Sequence, residues 1–114
     1  METVSFEIAK KLKEKGFDKY CCRAYNEIGC FNDTDTYKDS EEFYCYAPQI
    51  SQVLKWLREE NIHLYTDIDN EGWFFEIKCL KTRFMINTDF FKRYNSYELA
   101  ALAGIEYVVD NNLI

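Results

Sequence analysis

Hydrophobic positions along this chain recur with two periods, and the alternation between them predicts its elements. Residues 4–15 carry Val4, Ile8 and Leu12 on one helical face with Ala9 beside them. Ser5 suits the N-cap and Glu7 the first turn. Lys10, Lys11, Lys13 and Lys15 gather toward the C-terminal end, where the helix dipole favours cations. Gly16 fits the left-handed position that follows a helix, which lets Phe17 meet Leu12 in a Schellman ending. Residues 20–28 alternate loosely and predict a strand, with Tyr20, Cys22 and Ala24 on one side and Cys21, Arg23 and Tyr25 on the other. A polar connection, 29–40, leads to a short strand over 42–46 that pairs with the one before it.

The next stretch, 47–78, is the one on which the rest of the core is expected to assemble. Pro48 suits the first position of a second helix. Ile50, Val53, Leu54 and Leu57 form its apolar stripe, Trp56 lies at the edge, and Lys55, Arg58, Glu59 and Glu60 face solvent. Strict alternation follows in 62–69 and 73–80, joined by Asp69-Asn70-Glu71-Gly72, which is the pattern of a β-hairpin. Phe74 interrupts the polar face of that hairpin, so either the face is covered or Phe74 belongs to an interface. Residues 83–91 fit a third strand or a long ordered loop. Ser96 or Asn95 caps a last helix running to about residue 110, and Asn95 with Glu98 resembles a capping box. The prediction is one α+β domain over 1–114, with three helices packed on one antiparallel sheet of four or five strands, in the order α-β-β-α-β-β-(β)-α.

Composition sharpens this picture. Nine tyrosines, nine phenylalanines and two tryptophans in 114 residues supply ample surface for a core. The net charge of −6 opposes general binding to a phosphate backbone and suits an exterior that meets a basic partner. No apolar run approaches the roughly 20 residues needed to span a bilayer, and Met1-Glu2-Thr3 lacks the order of a signal peptide, so a cytoplasmic location without membrane contact is expected. Cys21, Cys22, Cys30, Cys45 and Cys79 are odd in number and lack C-x₂-C spacing, which reads as free thiols without zinc. Of these, Cys22, Cys45 and Cys79 are placed on inward faces as small apolar core residues.

Candidate chemistry is sparse. The single histidine, His63, falls on the polar face of a strand with no partner marked by spacing, so a surface or cross-strand role outranks catalysis. Asp67, Asp69, Glu71 and Gly72 imitate the start of a calcium loop, but Lys78 stands where the closing bidentate Glu is required, and a solvated turn is the better reading. Asp33, Asp35, Asp39, Glu41 and Glu42 read as an exposed acidic loop. Between 78 and 97, Lys78, Lys81, Arg83, Lys92 and Arg93 interleave with Phe84, Phe90, Phe91 and Tyr94, the pattern of a single-strand nucleic-acid platform, though equally that of an edge strand with a buried aromatic face. There is no Gly-rich phosphate loop, G-x-S-x-G or H-E-x-x-H. The expectation is therefore a protein without enzymatic activity, cofactor or metal.

Several phrases together carry a resemblance: residues 4–18, Val-Ser-Phe-Glu-Ile-Ala-Lys-Lys-Leu-Lys-Glu-Lys-Gly-Phe-Asp; Ala47-Pro48 with Val53 and Trp56-Leu57-Arg58-Glu59; and Tyr94-Asn95-Ser96-Tyr97-Glu98 with Ala101 and Ile105. In these the chain resembles a group of small uncharacterised proteins encoded by phages and prophages of Bacteroides-type gut bacteria. The likeness covers most of the chain apart from 29–40. It rests on caps and core stripes, so it implies a shared fold and a host bacterial cytoplasm rather than a shared site, and carries no catalytic residue with it. Gln49 stands where Thr is common after Ala-Pro, and Leu99 where an acidic residue is common.

The functional expectation is a protein-binding module. Its contact surface is placed on Tyr65, Trp73 and Phe74, or on the acidic 33–42 loop, and its partner is a host protein or a second copy of the chain. A single-stranded nucleic-acid binder using Lys81, Arg83, Lys92 and Arg93 is one alternative. An acidic inhibitor of a nucleic-acid-binding host protein is another. An enzyme using His63 and nearby carboxylates ranks last.

Overall fold

The computed structural model describes residues 2–38, 41–80, 84–86 and 92–114; for Lys38 and Phe84–Ile86 it describes the backbone. The class is α+β, in two compact units, 1–49 and 50–114.

The first unit opens on α1 (Phe6–Glu14). The Ser5 hydroxyl accepts from the Ile8 N–H at 3.3 Å, and Ile8, Ala9 and Leu12 are buried. The backbone of the predicted ending is present. Gly16 has φ +97°, the Phe17 N–H reaches the Leu12 carbonyl at 2.9 Å and the Gly16 N–H the Lys13 carbonyl at 3.1 Å. β1 (Arg23–Tyr25) pairs antiparallel with both β2 (Phe31–Asp33) and β3 (Cys45–Tyr46), giving a three-stranded sheet in the order β2-β1-β3. The β1–β2 turn is tied by Asn26, whose Oδ1 accepts from the N–H groups of Ile28 and Cys30. The buried Tyr25 hydroxyl donates to the Val4 carbonyl at 2.7 Å, and the Val4 N–H donates to the Pro48 carbonyl.

Here the sequence-based expectation needs correction. The strand predicted over 20–28 shrinks to three residues, and the polar connection 29–40 contains β2 and a fourth helix, α2 (Thr34–Lys38). The reason lies in Thr34, which is buried. Its hydroxyl donates to the Cys21 carbonyl and its N–H to the Cys22 carbonyl, so these two acceptors serve the start of α2 rather than a neighbouring strand. Because the chain at 21–22 is not a strand, the assumed alternation fails as well. Cys21 is buried and Cys22 is exposed, whereas Cys45 and Cys79 are buried as expected.

The second unit holds α3 (Ile50–Glu59), β4 (Ile62–Asp69), β5 (Gly72–Cys79), β6 (Phe84–Ile86) and α4 (Tyr97–Asp110). α3 begins two residues after Pro48, so this proline is not its first turn; the Pro48 carbonyl is bonded to Val4 instead. Ser96 caps α4, its hydroxyl accepting from the Leu99 N–H at 3.2 Å, which makes Ser96 the cap rather than the Asn95–Glu98 box. The sheet order is β4-β5-β6, all antiparallel. One antiparallel sheet of four or five strands with three helices is thus replaced, among the described residues, by two three-stranded sheets and four helices. The third strand expected over 83–91 appears as β6; residues 81–83 and 87–91 lie outside the described residues.

The hairpin matches its alternation. Ile62 faces Cys79, Leu64 faces Ile77, Thr66 faces Phe75 and Ile68 faces Trp73 on one side of the sheet. Ile62, Leu64, Phe75, Ile77 and Cys79 are buried, and α4 lies on this side with Gly104 directly against Leu64 and Phe75. α3 buries Ile50, Val53, Trp56 and Leu57 and packs against β4 and α4.

Candidate functional site

The opposite side of the hairpin carries His63, Tyr65, Asp67 and Asp69 from β4 and Phe74, Glu76 and Lys78 from β5, because successive residues on a strand point to opposite faces. On this face His63, Asp67, Asp69 and Lys78 are exposed, and Tyr65, Phe74 and Glu76 are half-buried. The register pairs His63 with Lys78, Tyr65 with Glu76, Asp67 with Phe74 and Asp69 with Gly72.

Two clamps hold the aromatic side chains of this face. The Tyr65 hydroxyl donates a short hydrogen bond to Glu76 Oε2, and this acceptor, with burial, holds the Tyr65 pKa above its ordinary value, so the hydroxyl stays a donor. The Lys78 ammonium lies 5.8 Å from the same ring and the His63 ring 5.9 Å from it, edge-on. Near the turn, Arg93 reaches back to Asp69. Its Nε and Nη2 both donate to Asp69 Oδ2, at 2.9 and 2.7 Å, while the guanidinium sits 4.7 Å from the Phe74 ring centroid. The other oxygen, Asp69 Oδ1, accepts from the N–H groups of Glu71 and Gly72 at 2.9 and 3.1 Å and shapes the turn. The segment that delivers Arg93 is tied in place by reciprocal bonds between Trp73 and Tyr94, at 3.0 and 2.8 Å. Gly72 is required there: its φ is +137°, and an added Cβ would stand 2.9 Å from the Tyr94 carbonyl oxygen.

Arg93, followed by the Glu71 and Gly72 N–H groups, draws the Asp69 carboxyl down to a pKa of about 2. The native value lies below the ordinary carboxylate value, so this contribution to stability is fully present above about pH 4 and is lost as pH falls toward about 2. Asp69→Asn keeps an acceptor for the turn but loses the charge. The thermal midpoints of wild type and Asp69→Asn should differ at pH 6 and converge between about pH 4 and 2, followed by circular dichroism.

Of the residues expected at a contact surface, the structure brings Tyr65 and Phe74 onto one face and places Trp73 on the other, where it is half-buried and meets Tyr97 edge-on at 6.0 Å. Of the proposed nucleic-acid contacts, Lys92 is exposed with its ammonium 5.4 Å from the Tyr94 ring, Arg93 is engaged by Asp69, and Lys81 and Arg83 lie outside the described residues. The charge of Arg93 is already paired with Asp69, and its Nη1 donates to the Lys92 carbonyl, which weighs against the nucleic-acid alternative. His63 is exposed, with Lys78 opposite and Tyr65 beside it.

The acidic loop of 33–42 is in part regular structure. Asp33 ends β2 and pairs with Arg23 at 3.0 Å, Asp35 lies in the first turn of α2, Glu41 and Glu42 are exposed, and Asp39 lies outside the described residues. Among the described residues, no group of three or more His, Cys, Asp or Glu side chains converges as metal ligands, and no helix is long and apolar enough to cross a membrane. Sequence reasoning missed the Asp69–Arg93 clamp, since the residues were assigned to separate motifs; their opposite charges were the available signal.

Comparison with known proteins adds no assignment: no family model, no curated protein and no solved structure matches the chain.

Proposed function

We propose that this chain is a non-enzymatic accessory protein of the phage or prophage type, which acts in the host bacterial cytoplasm by binding another protein through the Tyr65–Phe74 face of its hairpin. One observation carries the reading. Phe74, an apolar ring on an otherwise polar face, is held half-exposed beneath Arg93, whose own position is fixed by Asp69. Rigid aromatic and arginine side chains presented together are what dominate binding energy at protein interfaces, because little rotamer entropy remains to be lost. Carboxylates at Asp67, Glu71 and Glu76 surround the pair, and the chain carries −6 overall, so the fitting partner surface is apolar with a basic rim. A nucleic-acid-binding host protein offers such a rim, which joins this reading to the acidic-inhibitor alternative.

The test is a capture from phage-infected host cells, read by mass spectrometry, with wild type and Phe74→Ser as parallel baits. A partner retained by wild type and lost by Phe74→Ser, with the thermal midpoint nearly unchanged, is the expected outcome. An identical partner set on both baits, or a fall of the midpoint by many degrees, would refute the surface assignment.

A further inference from the structure

A different feature stands in the first unit, independent of the hairpin face. Tyr20, Tyr37, Phe43 and Tyr46 line a cavity of about 290 Å³ together with Thr34 and Glu41. Tyr46 is set nearly perpendicular to two of its neighbours. Its ring centroid is 5.8 Å from Tyr20 and 4.9 Å from Phe43, each at an interplanar angle of 68°. The rings therefore stand as adjoining walls instead of stacking flat. Tyr37 is buried and its hydroxyl donates to the Cys30 carbonyl at 2.6 Å, which fixes its place in the cavity. Tyr20 and Phe43 are exposed, at 57% and 38%, and form the accessible rim.

The described groups around the cavity favour a cation. The faces of aromatic rings are electronegative, Glu41 is the charged residue among the described lining residues, Asp35 lies beside the Tyr20 hydroxyl, and the Glu42 carboxylate acts on Tyr37. The same unit already uses its rings this way for its own cations: the Lys13 ammonium sits 4.1 Å from the Tyr44 centroid, the Lys10 ammonium 5.2 Å from Phe6 and the Arg23 guanidinium 5.3 Å from Phe31. A walled aromatic cavity with a carboxylate suits a cation that is bulky, apolar on its surface and poor at holding water. A quaternary ammonium group has these properties and a simple ammonium does not.

We propose that the Tyr20–Tyr37–Phe43–Tyr46 cavity is a binding site for a quaternary ammonium group, of the kind carried by choline or by trimethylated lysine. A second cavity of about 440 Å³ shares the Phe43 and Tyr46 walls and is lined by Ala9, Phe17 and Cys45 together with Lys13 and Asp18. Its apolar part offers a place for the alkyl chain of a trimethylated lysine.

The test is an NMR titration of the full chain with tetramethylammonium chloride, choline and N-acetyl-trimethyllysine amide. Sodium chloride serves as the salt control and 3,3-dimethyl-1-butanol, the uncharged isostere of choline, as the shape control. The ring signals of Tyr20, Phe43 and Tyr46 should shift with the three ammonium compounds, with choline binding on the order of tenfold more tightly than its isostere. Tyr20→Leu and Phe43→Leu, both on the exposed rim, should each weaken binding several-fold while leaving the circular dichroism spectrum intact. The choline and trimethyllysine arms identify the source by their relative affinity. Equal binding of choline and 3,3-dimethyl-1-butanol, or no ring shifts from any ammonium compound beyond the sodium chloride control, would overturn the proposal.

Discussion

Truncating Ile77 to alanine is expected to destabilise the protein by about 2–5 kcal/mol, the range for removing a buried Ile side chain that leaves a cavity behind. Ile77 is fully buried at the middle of β5, and β5 is the central strand of its sheet, with Leu64 opposite on β4 and Ile86 in register on β6. Backbone hydrogen bonds on both sides hinder the strand from moving in to fill the void, which places the cost toward the upper part of that range. Thermal unfolding followed by circular dichroism should show a midpoint lowered by roughly 10 °C or more. A shift of only one or two degrees would mean that the sheet face is less tightly packed than the burial of Ile77 indicates.

Filling space at Gly104 should also be damaging, though less so than emptying it at Ile77. Gly104 is a buried residue in the interior of α4, where glycine ordinarily costs about 1 kcal/mol relative to alanine. Its justification is contact: a Cβ built there would stand 2.5 Å from Leu64 Cδ1 and 3.2 Å from the Phe75 ring. Gly104→Val puts two further methyl groups into that contact, and overpacking of this kind costs about 1–3 kcal/mol. The thermal midpoint should fall by several degrees or more. Gly104→Ala should cost less than Gly104→Val, because the gain in helix propensity offsets part of the displacement of Leu64. A valine variant as stable as wild type would show that α4 can lift off the hairpin without penalty.

These two positions also mark where the sequence was legible and where it was not. Alternation alone puts Ile77 on one face with Trp73, Phe75 and Cys79, and the structure pairs that face with Ile62, Leu64, Thr66 and Ile68. The Schellman ending at Gly16 was equally readable, since its donors and acceptors lie within five residues of each other. Gly104 carried no such signal: what forbids a side chain there is Leu64, forty positions earlier in the chain. The same holds for the first unit. Thr34 occupies the carbonyls of Cys21 and Cys22, a pairing thirteen and twelve residues apart that hydropathy cannot announce, and it was this pairing that shortened one strand and created a helix. The clamp between Asp69 and Arg93 spans twenty-four residues and depends on the Trp73–Tyr94 bridge to deliver it. The aromatic cavity draws on positions 20, 37, 43 and 46, which share no period.

The placement of the two indoles has a practical result. Trp56 and Trp73 both fall within 50–114, whereas tyrosines occur on either side of that boundary. Selective indole excitation therefore gives an optical record of one half of the molecule without labelling. Comparing its melting curve with the ellipticity of the entire chain would reveal whether both halves melt cooperatively.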